Sequence, residues 1–98
     1  MGQNSKDYSR ARFEELVKIS FYYREYSSRF RISPYQRNFI ENVNNALASL
    51  KKEYKNIMRK EFFDFKRDIY WWTKHYAQST FYRKRNVAIK NFLEIYAQ

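Results

Sequence analysis

Ser33-Pro34-Tyr35-Gln36 is the sharpest local signal in the chain, and the residues after it decide the fold class. Ser33 suits an N-cap, and Pro34 suits the first helical turn, where its missing N–H costs nothing. Gln36 can reach back to the Ser33 N–H and complete a capping box. Phe39, Ile40, Val43, Ala46, Leu47 and Leu50 then recur at helical spacing on one face. A helix is expected from Pro34, ending or bending at Ala48-Ser49.

Outward from that helix the chain holds one Gly, at position 2, and one Pro, at 34. Tight β-turns need Gly, Asn-Gly or Pro, so a strand-rich fold lacks its corners. The expected class is all-α, a small bundle of four to five helices. Residues 1–6 are expected to be disordered, with one helical domain over 7–98. Within it, 7–48 would be an N-terminal helical pair and 49–98 a C-terminal helix-turn-helix.

The first helix should start at Asp7 or Ser9, either of which can cap it, and run to about Ser27. Phe13, Leu16, Val17 and Phe21 are its expected inward positions, with Glu14-Lys18 as an i,i+4 pair. A third helix should cover Leu50 to Phe62 on Tyr54, Ile57, Met58 and Phe62, with a break at Phe63-Asp64-Phe65. A short helix over Lys66–Lys74 and a turn at His75–Gln78 should precede the last helix. That helix begins near Ser79 and turns Phe81, Ala88, Ile89, Phe92 and Ile95 inward.

The 98 residues carry 20 Lys and Arg against 10 Asp and Glu, a net charge of +10. Repulsion of that size favours a polyanionic partner, either nucleic acid or an anionic surface. There is no cysteine and one histidine, His75, so no thiolate or histidine metal site is expected. Glu14 and Glu15 are neighbours that do not face each other on a helix. Asp64 and Asp68 read as surface acids balancing Lys66 and Arg67. No Gly-rich phosphate loop occurs. The expectation is no catalytic residue, no metal and no cofactor. No signal peptide and no long apolar run are visible, so a cytoplasmic location and no membrane partner are expected. Aromatics make up 21% of the chain, and most are read as core filler.

Between Ile69 and Leu93 stand Lys74, Arg83, Lys84, Arg85 and Lys90, with no acid among them. Solvated helix faces usually mix charge signs, and this one does not. In a helix-turn-helix the second helix enters the major groove and presents its leading residues to base edges. Gln78, Ser79, Thr80, Tyr82, Arg83 and Asn86 are the candidate base contacts, because Gln and Asn can pair with adenine and Arg with guanine. Lys74, Lys84, Arg85 and Lys90 are the candidate phosphate contacts.

The stretch from Ala46 to Met58, with Leu47, Leu50, Glu53 and Ile57, resembles the opening of sigma-factor region 4. Ser79-Thr80-Phe81-Tyr82-Arg83 through Ala88-Ile89 resembles that family's recognition helix. With the trailing Ala88-Ile89-Lys90-Asn91-Phe92, it is most similar to phage-encoded regulators of the ArpU and RinA late-activator type. The resemblance covers residues 46–96. It departs from the pattern at Tyr70-Trp71-Trp72-Thr73-Lys74 and at His75, where the family has a Gly. It implies a transcription regulator that reads double-stranded DNA with the helix near Ser79. RNA polymerase or a second copy of the chain would meet the N-terminal helices.

Three rivals make separate structural demands. An RNA- or single-strand-binding protein would leave Trp71, Trp72, Tyr76 and Tyr82 open for base stacking. A protein-interaction module without base readout would expose an apolar patch on the first two helices. A peripheral membrane binder would expose Phe92, Ile95 and Tyr96.

Overall fold

The computed structural model describes residues 2–66 and 68–98, with side chains from Ser9 onward. It is an all-α bundle of four helices: α1 (Gly2–Ser27), α2 (Pro34–Ala48), α3 (Lys52–Met58) and α4 (Gln78–Tyr96). A π-helical turn, Arg59–Phe63, extends α3, and a 3-10 turn, Trp71–Lys74, precedes α4. No strand occurs among the described residues.

The Ser33 signal folds as its chemistry dictates. Ser33 Oγ accepts from the Gln36 N–H at 3.1 Å, and the Gln36 side chain accepts from the Ser33 N–H at 3.0 Å. Pro34 occupies the first turn, and Ser49 is the C-cap of α2. Val43, Ala46, Leu47 and Leu50 are buried, while Phe39 and Ile40 flank them half-buried.

α1 begins at Gly2, ahead of the expected Asp7 or Ser9 cap, so it takes in the backbone of the segment expected to be disordered. Nothing between Gln3 and Lys6 breaks a helix, and elongation of a formed helix adds one hydrogen bond per residue. Its buried line is Leu16, Ile19 and Ser20, with Phe13 and Tyr23 half-buried. Val17 and Phe21, expected inside, are exposed. They lie about 100° or more around the helix from Leu16. Glu14 pairs back to Arg10 at 3.2 Å rather than forward to Lys18.

The third helix follows its expected stripe to Met58 and then widens. Asp64 N–H donates to the Arg59 carbonyl at 2.8 Å, an i to i+5 bond. That turn sends Glu61, Phe62 and Phe63 inward together. A regular α-helix advances about 100° per residue and spreads three consecutive residues over more than half its circumference. Phe62 meets Phe13 edge-on at 5.8 Å, and Phe63 meets Tyr23 at 5.2 Å. The Arg24 guanidinium donates to the Phe62 carbonyl and ties the turn to α1. The chain leaves the turn at Asp64 in an extended conformation, where the break was expected.

The expected helix over Lys66–Lys74 is not formed; only the four-residue 3-10 turn Trp71–Lys74 is present, with residue 67 outside the description. Asp68 works against a helix here. Its carboxylate accepts from the Tyr70 N–H at 3.0 Å, a local bond that competes with helical pairing. Trp71 and Trp72 then both pack on the core, which the tighter turn permits. The following turn dispenses with glycine: His75 and Ala77 both have negative φ, and Ala77 enters α4 from an extended conformation. The motif before α4 is therefore a 3-10 turn and a bend, not the first helix of a helix-turn-helix.

α4 touches every other helix. Phe81, Ala88, Ile89 and Phe92 are buried along it, and Ile95 is half-buried, as expected from their spacing. Phe81 is the centre of an aromatic cluster. Trp72 stacks on it at 4.8 Å, and Trp71 meets it edge-on at 5.6 Å.

Candidate nucleic-acid interface

Helical geometry divides the basic residues of α4 between two faces. One residue step is about 100°, so Arg83, Lys84 and Arg85 cannot share a direction. Arg83 points away from the bundle, and Lys84 and Arg85 turn toward α3.

The inward pair is neutralised there. Lys84 Nζ donates to Glu53 Oε1 at 2.9 Å, and the Tyr76 hydroxyl donates to Glu53 Oε2 at 3.0 Å. Those two hydrogen bonds, Lys84 first and then Tyr76, hold the Glu53 carboxyl below the usual carboxylate range. Burial, and then the bond to Glu53, pushes the Tyr76 phenol above its ordinary value. Arg85 Nη1 donates to Glu61 Oε2 at 3.2 Å, while Trp71 Nε1 donates to Glu61 Oε1 at 2.8 Å. The Arg85 and Glu61 side chains are only 20% and 9% exposed. The enclosed Arg85 Nε finds no acceptor. The guanidinium instead lies over the rings of Tyr82 and Phe13, at 4.8 and 5.2 Å.

The run of cations in α4 therefore does have internal neutralisation, from acids on α3 and its π turn. Sequence reading missed this because Glu53 and Glu61 lie far from Lys84 and Arg85 along the chain. Of the expected phosphate contacts, Lys84 and Arg85 are engaged in these pairs. Lys74 and Lys90 are exposed and have no ion-pair partner among the described residues.

The outward face brings most of the candidate base contacts together. Ser79, Tyr82, Arg83, Asn86 and Lys90 follow one another along it, and all are exposed. Gln78 is exposed beside them, and Thr80 is half-buried. Val87 lies on the same side, and the first acid on it is Glu94, near the end of the helix. Gln78 and Ser79 do not cap the helix: the N-cap is Ala77, which offers no side-chain acceptor, and the first turn holds no acid. The leading end of α4 thus keeps its partial positive charge.

A second group of cations was not singled out from sequence. Lys51, Lys52, Lys55 and Arg59 lie on or beside α3, none with an ion-pair partner among the described residues. Spacing i, i+3, i+7 along a helix is the signal that would have found Lys52, Lys55 and Arg59.

The rivals' demands have definite outcomes. Trp71, Trp72 and Tyr76 are half-buried against the core, with Trp72 already stacked on Phe81. Only Tyr82 is open, at 38% exposure. Phe92 is buried and Ile95 and Tyr96 are half-buried, so α4 offers no apolar face to a membrane. Among the described residues, no helix is long and apolar enough to cross one. Exposed apolar side chains are present on and between the first two helices, at separate places: Val17 and Phe21 on α1, Phe30 at 97% exposure in the connector, and Tyr35 at 77% on α2.

Comparison with known protein families, with curated proteins and with solved structures finds no match.

Proposed function

We propose that the protein is a sequence-specific double-stranded-DNA-binding regulator that lays the outward face of α4 in the major groove. One observation carries this reading: Ser79, Tyr82, Arg83, Asn86 and Lys90 form a continuous exposed face without a carboxylate before Glu94. The acids that could neutralise α4 are used on its other side. An α-helix fits the major groove, and Arg and Asn are the side chains that read guanine and adenine edges there. Lys74 and Lys90 hold phosphates on either side. The resemblance of residues 46–96 to sigma region 4 and to phage late activators supports a role at promoters. The half-burial of Trp71, Trp72 and Tyr76 counts against the single-strand alternative, because all three rings pack against Phe81 and Trp72 is already stacked on it.

The test is fluorescence anisotropy of the whole chain against duplex DNA, single-stranded DNA and RNA across a salt series. Duplex preference with a steep salt slope is expected. Preference for single strands, or no binding at moderate salt, overturns the reading.

A second reading, compatible with the first, is protein docking on α1 and α2. The exposed Val17, Phe21, Phe30 and Tyr35 favour it. RNA polymerase and a second copy of the chain are the two candidates. Light scattering across a concentration series identifies the second copy, and co-purification with polymerase that is lost in Phe30→Ser identifies the first.

A further inference from the structure

We infer that Lys52, Lys55 and Arg59, with Asn56 and Tyr76, form a second anion site that holds consecutive phosphates of a nucleic-acid backbone. These residues, with Glu53, line one open groove of about 600 Å³. The groove is separate from the outward face of α4 and rests on the reading of that face as a duplex reader.

Three observations carry the site. The first is charge. Lys52, Lys55 and Arg59 have no ion-pair partner among the described residues. Glu53 is the one carboxylate in the groove, and both its oxygens are occupied, by Lys84 and by Tyr76. The Glu53–Lys84 pair cancels, and the groove keeps the charge of its other three cations.

The second observation is spacing. Lys52, Lys55 and Arg59 stand at i, i+3 and i+7, one row on one face. The row is about 10 Å long at the helical rise. A DNA strand carries one phosphate per roughly 3.4 Å of axis. A row of that length can reach successive phosphates of one strand.

The third is position. Tyr76 closes one side of the groove and lies two residues before the start of α4. The Lys84–Glu53 bond fastens α3 to the first half of α4. A backbone running past the leading end of α4 is thus brought to α3. These contacts are blind to sequence: they add affinity and fix register, while the face of α4 discriminates.

The experiment measures the salt dependence of duplex binding by the full chain and by a Lys52→Gln/Lys55→Gln/Arg59→Gln variant. All three side chains are at least partly exposed, and a thermal melt verifies that the variant folds. The slope of log K against log salt is expected to fall by about 2–3, since each phosphate contact contributes about 0.9. Affinity at 0.1 M salt then drops roughly 100- to 1,000-fold, equally for every duplex sequence. Lys52→Arg/Lys55→Arg restores the wild-type slope. Lys18→Gln/Arg37→Gln, on α1 and α2, serves as the distant charge control.

If the wild type binds duplex and the triple variant keeps its slope, the groove is overturned while the reading of α4 stands. The same holds if the control lowers the slope as much per charge removed. If the wild type does not bind duplex, tripolyphosphate is titrated while the backbone NMR resonances are followed. Shifts confined to Lys52, Lys55, Arg59 and Tyr76 keep the groove as a phosphate site and reject the reading of α4. No shifts there reject both.

Discussion

The two sides of α4 carry the same chemistry to opposite ends. Arg83 and Arg85 are two residues apart, one exposed to solvent and the other held between Glu61 and the rings of Phe13 and Tyr82. Lys84 and Lys90 differ in the same way, one bonded to Glu53 and the other without an ion-pair partner among the described residues. Cations on the inner side are part of what holds α4 to α3. Cations on the outer side add repulsion to a chain of net charge +10 without any internal return. That difference separates a structural charge from one available to a partner.

The largest expected effect is on the inner side. Glu61→Ala leaves Arg85 without its carboxylate and Trp71 Nε1 without its acceptor. A loss of about 1–3 kcal/mol in unfolding free energy is expected, read by denaturant titration. A loss no larger than that of Glu94→Ala, an exposed acid on α4, would erase the distinction between the sides. The outer side should behave in reverse. Arg83→Ala leaves the melting temperature unchanged and weakens binding to a selected duplex site by about 1–3 kcal/mol. An equal loss on an unrelated duplex would make Arg83 a phosphate holder instead of a reader.

Lys90→Ala sharpens the division within the outer face. It is expected to weaken all duplexes alike and lower the salt slope by about one. A change in sequence preference would move Lys90 to the reading group. The smallest effect belongs to Glu53→Gln. Because the folded Glu53 carboxyl lies below its ordinary value, its pair with Lys84 contributes fully above the ordinary carboxylate range. The contribution is lost as pH falls through the lowered folded value. Its size is no more than about 1 kcal/mol, since both partners are solvent-screened. Glu53→Gln should therefore melt lower than wild type at neutral pH, with the two converging in acid. A constant gap across that pH range would mean that the carboxylate charge is not what binds Lys84.

Much of the architecture was legible locally. The capping box at Ser33 and Gln36 and the inward rows of α2 and α4 depend on near neighbours, and the structure has them as read. α1 shows where such reading stops. Phe13, Leu16, Val17 and Phe21 make an acceptable helical stripe, but the helices that cover α1 select Leu16 and Ile19 and leave Val17 and Phe21 outside. The segment before α4 shows the same limit. Trp71 and Trp72 carry helical potential, yet the Asp68 bond and the pull of Glu61 and Phe81 on the two indoles favour a 3-10 turn.

By itself, then, the sequence determined an all-α chain, its strongest cap, most of its core and its excess of positive charge. Each of these follows from residue type and spacing over a few turns. The tertiary structure alone decided the π turn that buries Glu61 beside Phe62 and Phe63, and the choice of which cations are neutralised. Glu53 reaches Lys84, and Glu61 reaches Arg85, only once α3 lies against α4, and helical periodicity then leaves Arg83 and Lys90 on the open side.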